Sequence, residues 1–243
     1  MSPLLSVRGI TKSFRGLRAV DDVGFDVEPG TVMGVIGPNG AGKSTLFASV
    51  SGGLRVDAGT VALDGTDITR WPDHRVARAG LVRTFQLMRP FGTMTVLDNV
   101  AVAAASRTAD TGRAYERAHE VIERVGLERY RDQASAELPT AGLKRLELAR
   151  ALATSPRVLM LDEVLAGLVP SEREPVVDLL AELRDGGLTM VFVEHVMTAV
   201  MRLSDHVLVL DRGRVIAHGT PAEVVEDPRV VEAYLGERPD ADG

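Results

Sequence analysis

GPNGAGKST, residues Gly37–Thr45, follows the apolar run TVMGVI (Thr31–Ile36) and leads into a helical pattern from about Ser44. The segment fits G-x-x-x-x-G-K-[ST] between a strand and a helix, the setting that makes this spacing a phosphate-binding loop. Such a loop curls its backbone N–H groups around phosphate oxygens, and Gly37, Gly40 and Gly42 permit the dihedrals and the close approach. Lys43 is placed to reach the β- and γ-phosphates, and Ser44 to ligate Mg²⁺. The predicted nucleotide-contacting loop is therefore Gly37, Pro38, Asn39, Gly40, Ala41, Gly42, Lys43, Ser44 and Thr45.

Further along, RVLMLDE (Arg157–Glu163) is an apolar strand that delivers two carboxylates to the carboxyl edge of a sheet. Ligands of open α/β sheets bind outside that edge. Asp162 is predicted to hold the Mg²⁺ shell, and Glu163 to polarise the attacking water as general base. LTMVFVEH (Leu188–His195) repeats the pattern, with His195 just past the strand and near the γ-phosphate, while alternation turns Glu194 away. Gln86, ending the strand-like LVRTFQ, is the predicted sensor of Mg²⁺ and water. The catalytic set is thus Lys43, Gln86, Glu163 and His195, and the metal set Ser44, Gln86 and Asp162.

Around these motifs, LLSVRGI and RAVDDVGFDV read as strands, the latter alternating at Val23, Phe25 and Val27. Residues 86–156 are mostly helical, with Ala114, Ala118, Val121, Ile122 and Val125 forming a core-facing stripe. Strand and helix alternate from residue 157, and DHVLVLDRGRVIAHG is a hairpin turning at 211–213. Near-continuous apolar strands alternating with helices imply an α/β fold with a parallel sheet covered on both faces.

Size and composition bound the rest. The 243 residues are 45% hydrophobic and 26% charged, enough for one substantial core. A net charge of −6 argues against a dedicated nucleic-acid binder. The absence of cysteine removes disulfides, thiolate nucleophiles and Cys-based zinc sites. MSPLLSVRGITKSF has no apolar core long enough for a signal peptide, and Val100–Ala105 falls far short of the roughly 20 residues of a membrane span. The expectation is a cytoplasmic protein that reaches a membrane only by docking onto another chain.

The order of Gly37–Thr45, Gln86, the 138–150 stretch, Asp162–Glu163, AGLVP and His195 resembles an ABC transporter ATP-binding subunit, over nearly the whole chain. VRTFQLMRPFGTMTVLDNV, KRLELARAL, LAGLVPSE and AHGTPAEVVEDPRVVEAYLGE look like the G-type ATP-binding subunit of the branched-chain amino-acid uptake family. The resemblance implies a RecA-like P-loop NTPase core, an N-terminal antiparallel β-subdomain and an inserted helical subdomain. Carried onto this chain, it implies one domain over 1–236. Core and β-subdomain take 1–85 and 157–220, the helical subdomain 86–156 and C-terminal helices 220–235, with a disordered tail at 237–243. It further implies that Phe14 stacks on the adenine with Val20 beside it, the alternative for Phe14 being a strand-end hydrophobe. Met88 to Phe91 fall where the family contacts its membrane subunits.

The family's Leu-Ser-Gly-Gly-Gln signature aligns with Leu138, Pro139, Thr140, Ala141 and Gly142. In the family, two cassettes pair head to tail, and each signature meets the partner's γ-phosphate at a helix N-terminus. Pro139 brings neither hydroxyl nor N–H to that contact. Val164 replaces the usual Pro after Asp-Glu, and Val169 stands where the subgroup often has Asn. The expectation is an asymmetric heterodimer with a second cassette, on two transmembrane permeases at the cytoplasmic face of the membrane, served indirectly by a solute-binding protein. ATP and Mg²⁺ are the implied cofactors. The rival readings are a homodimer in which Thr140 and Ala141 do the standard job, a cassette for another solute or an exporter, a soluble non-transport ATPase, and a nucleotide-binding regulator.

Overall fold

The computed structural model describes residues 2–84 and 90–235. Alternation builds the first layer: β1 (Leu5–Phe14) pairs antiparallel with β2 (Leu17–Val27), where Val23, Phe25 and Val27 face inward. After β3 (Val32–Ile36) and α1 (Lys43–Val50), β4 (Ala58–Leu63) joins the other edge of β1, and β5 (Thr66–Asp67) completes an antiparallel sheet in the order β2-β1-β4-β5.

The second sheet holds the site. Every residue of β3, β7 (Val158–Asp162) and β8 (Thr189–Val193) is buried, as strands covered on both faces must be. With β6 (Leu81–Arg83), β9 (His206–Asp211) and β10 (Arg214–Gly219) they form the order β10-β9-β3-β8-β7-β6. All neighbours are parallel except β10, which returns antiparallel on β9. The strand order reverses about β3, flanked by β8 and β9, so the loop after β3 sits at a topological switch point.

Pleating sorts each strand's side chains between two cores. Leu159, Leu161 and Phe192 join the core under the helices, whereas Val158, Met160, Val191 and Val193 join the one shared with α1 and the antiparallel sheet. Between β6 and β7 lie α3 (Val96–Ala104), α4 (Thr111–Arg124) and α5 (Thr140–Ala153). Thr95 and Asp110 cap α3 and α4 by accepting from Asp98 and Arg113 N–H. The helical stripe from Ala114 to Val125 is buried as expected. On α5 both faces are covered: Leu146, Ala149, Leu152 and Ala153 are buried, and so are Gly142, Lys144 and Leu148. Not named from the sequence is α2 (Asp73–Ala79), whose ends are marked by Pro72, Asp73, Arg78 and a left-handed Gly80 but whose seven residues carry a single buried one, Val76. The chain closes through α6 (Pro170–Asp185), α7 (Met197–Leu203), α8 (Pro221–Glu226) and α9 (Pro228–Leu235). Among the described residues no helix is long and apolar enough to cross a membrane.

Candidate nucleotide-binding and hydrolysis site

The loop after β3 is fixed by its neighbours. The Ala41 carbonyl accepts from Gly213 N–H at 2.9 Å, and the Gly213 carbonyl accepts from Asp21 N–H at 2.8 Å, tying the loop to the β9–β10 turn and to β2. Gly42 caps α1 at φ 104°, a left-handed conformation, and a Cβ there would run into the Ala19 carbonyl. Lys43 is nearly buried, its Nζ donating to the carbonyls of Gly37 at 2.7 Å and Pro38 at 2.9 Å. The N-terminus of α1 therefore presents its first backbone N–H groups and an ammonium to one space, the physical requirement for an anion site. That space is a cavity of about 210 Å³ lined by Ala19, the loop from Asn39 to Thr45, Glu163 and His195.

Strand order brings the acid and the histidine there. Because β8 lies between β3 and β7, three neighbouring strands end side by side with the loop, His195 and Asp162–Glu163. Glu163 follows β7 at φ 50°, a left-handed conformation costing a non-glycine residue about 1–2 kcal/mol. Its N–H donates to the Val193 carbonyl at 3.0 Å, and its Oε1 lies 3.1 Å from His195 Nε2. Asp162 is buried, with Oδ2 accepting from Arg83 Nη2 at 2.6 Å and its backbone N–H donating to Thr84 Oγ1 at 3.2 Å. Arg83, on β6, escaped the sequence reading. Nothing in a basic residue ending a three-residue strand announces that its partner lies 79 positions on.

Glu194 is turned away from the cavity, as alternation requires, and is buried. Its carboxylate accepts the N–H of Leu165 at 2.8 Å. Burial pushes its pKa from 4.5 up to about 7, against that hydrogen bond. The native state thus favours the protonated form, and the stability this confers is complete below pH 4.5 and lost as pH rises through about 7. Glu194→Gln, which stays neutral, is expected to gain thermal stability relative to the parent between those two values. Melts across that range check this, and a pH-independent difference in Tm would contradict it.

The other predicted residues fall as follows. Phe14 is exposed at the end of β1, with Lys12 Nζ 5.6 Å from its ring centroid, and it does not line the cavity. Val20 is fully buried in the core shared with α1, and Ala19, the residue before it, lines the cavity. Asp22, at φ 55°, accounts for the shift: Ile10 pairs with Val23 but Lys12 with Val20, so one extra residue on β2 reverses its alternation. Gln86 and Met88 lie outside the described residues. Phe91 is exposed, and the buried Asn99 side chain fixes its backbone, Oδ1 accepting Phe91 N–H and Nδ2 donating to Phe91 O. Pro139 is the N-cap of α5 without a side-chain cap, Thr140 opens the helix, Ala141 is half-buried and Gly142 is buried against Leu138.

The family model described as ABC transporter matches residues 20–166, which include the loop, Asp162 and Glu163. The chain belongs to the ABC transporter family. Within it, the model for branched-chain amino acid ATP-binding cassette transporters matches residues 214–240 of this cassette. The cassette is 40% identical to the high-affinity branched-chain amino acid transport ATP-binding protein BraF of Pseudomonas aeruginosa, over 97% of this chain and 98% of that one. Identity to LivG of Escherichia coli, described in the same words, is 38% with the same coverage. Its fold matches the ADP conformation of MJ1267, an ATP-binding cassette of an ABC transporter, with a TM-score of 0.88 and 32% identity over 98% of this cassette and all of the other. The cassette is accordingly a RecA-like P-loop ATPase, with an antiparallel β-subdomain and an inserted helical subdomain, that couples ATP hydrolysis to transport.

Proposed function

We propose that this cassette powers uptake of branched-chain or related amino acids by hydrolysing Mg²⁺-ATP at the cavity between Gly37–Thr45, Glu163 and His195. The 3.1 Å approach of Glu163 to His195 over the phosphate loop carries the hydrolytic part of this reading. A carboxylate held beside an imidazole can accept a proton from a water between it and a phosphate, while the histidine orients that water or meets the γ-phosphate. Lys43 and the first N–H groups of α1 offset the charge that builds on the phosphate oxygens. Phe14 offers an exposed aromatic face to the adenine, and Gln86 senses the reacting water.

The donor set suits a small hard cation. Ser44 lines the cavity, and Asp162 Oδ1 is buried with no hydrogen-bond partner among the described residues, while Arg83 holds only Oδ2. Mg²⁺ prefers such oxygen ligands, one or two from protein, with phosphates and waters completing the shell. When bound, the cation would neutralise phosphate charge; Ser44, Asp162 and Gln86 would hold it.

The match of residues 214–240 to the branched-chain model, with the BraF and LivG identities, supports the amino-acid reading. The cassette then works at the cytoplasmic face of the membrane, peripherally, on two permeases and beside a second cassette, with a solute-binding protein acting indirectly. Co-purification tests the assembly. Two multi-span permeases and a second cassette support it, and a chain recovered alone on ribosomes or DNA overturns it.

The uncapped start of α5 favours a heterodimer. With Pro139 as N-cap, the site facing the partner's nucleotide keeps the helix N–H groups of Thr140, Ala141 and Gly142 but lacks a hydroxyl at the cap. Pro139→Ser supplies one hydroxyl, and a charge-assisted bond of about 1.5 kcal/mol is about tenfold. The ATP concentration for half-maximal association with the partner is therefore expected to fall by about tenfold. An unchanged concentration would sink the asymmetry.

A further inference from the structure

We propose that Lys144 and Glu194 are positioning residues, a two-part strut that holds the backbone on either side of Val164 so that the Glu163 carboxylate meets His195. The proposal rests on the reading of Glu163 as general base.

Lys144 lies one turn inside α5 and is buried, an unusual place for an ammonium without a purpose. Its Nζ donates to the Glu163 carbonyl at 3.1 Å. That carbonyl belongs to the peptide just after the left-handed Glu163, whose side chain lines the cavity. Two positions on, Leu165 N–H is held by the Glu194 carboxylate at 2.8 Å. Glu194, the residue before His195, thus ties the segment after Glu163 to the end of β8 that carries the histidine Glu163 faces. Burial lowers the pKa of Lys144, opposed by the nearby acids Glu194, Glu163, Glu147 and Asp162. An unpaired charge at this depth would be costly, so the hydrogen bonds and the surrounding acids account for its retention. An uncommon backbone conformation persists where its surroundings over-determine it, and these contacts supply that.

The strut also joins two functional segments. The start of α5, Pro139–Gly142, is one turn ahead of Lys144 on the same helix. A shift of α5 at that end therefore moves the donor that holds the Glu163 carbonyl.

The test uses the full chain assembled with its co-purifying subunits, with ATPase kinetics, equilibrium ATP binding and melting temperature read for each variant. Lys144→Met removes the donor and keeps the length. It is expected to lower kcat by about ten- to a hundredfold, the scale of a misplaced catalytic group, with KM for ATP nearly unchanged. Lys144→Arg is expected to recover much of the loss. Glu163→Gln is the reference: full activity in that variant would overturn the site reading itself. Loss of activity in Glu163→Gln with wild-type kcat in Lys144→Met would leave that reading standing and overturn the strut. Should Lys144→Met melt below the assay temperature, Glu194 decides. Glu194→Gln keeps an acceptor for Leu165 N–H and is expected to stay near wild type, whereas Glu194→Leu is expected to lose kcat without loss of ATP binding. Equal effects of the two, or none, would overturn the proposal.

Discussion

Glu163→Gln is expected to lower the kcat of ATP hydrolysis by about 10²–10⁴-fold, the contribution of a positioned general base, while ATP still binds. The amide keeps the shape of the side chain and can still meet His195 Nε2, now 3.1 Å from the carboxylate. It cannot take a proton from water. The groups that hold the triphosphate, Lys43 and the start of α1, are untouched by the change. The loss should therefore appear in kcat and not in the dissociation constant, a separation that single-turnover hydrolysis and equilibrium binding resolve. Turnover within about twofold of the parent would remove Glu163 from the reaction.

Lys43→Ala is expected to weaken ATP binding by about 10²-fold or more. Two charge-assisted hydrogen bonds to phosphate, at about 1.5–3 kcal/mol each, give that range. The ammonium now rests on the carbonyls of Gly37 and Pro38 at the head of the loop, within the cavity that also contains Glu163. Removing it leaves two loop carbonyls without that donor, so a melting curve must accompany the titration. A folded variant that binds ATP as the parent does would place the triphosphate elsewhere.

Much of this site is legible in the sequence because its chemistry is local. The glycines and Lys43 must stand close together for one turn to wrap a phosphate. Asp162, Glu163 and His195 each end a buried apolar strand, and such strands are visible as runs. What joins those ends is the strand order β3-β8-β7, which the motif order implies only through the family resemblance. Contacts across the fold were not legible. Arg83 meets Asp162 from β6, and Lys144 reaches the Glu163 carbonyl from α5, where a lysine beside Arg145 gives no sign of burial. The full burial of Val20 was not legible because it depends on parity along β2. Val23, Phe25 and Val27 set an alternation that the irregular pairing near Asp22 reverses, and no residue type there reports it.

The central claim is that hydrolysis at this cavity drives inward movement of an amino acid. It is tested by measuring uptake of labelled leucine into proteoliposomes that hold this cassette, its partner cassette, both permeases and the solute-binding protein, with ATP on the cassette side. Accumulation that requires ATP and disappears with Glu163→Gln is the predicted result; hydrolysis without accumulation, or accumulation unaffected by that substitution, would contradict it.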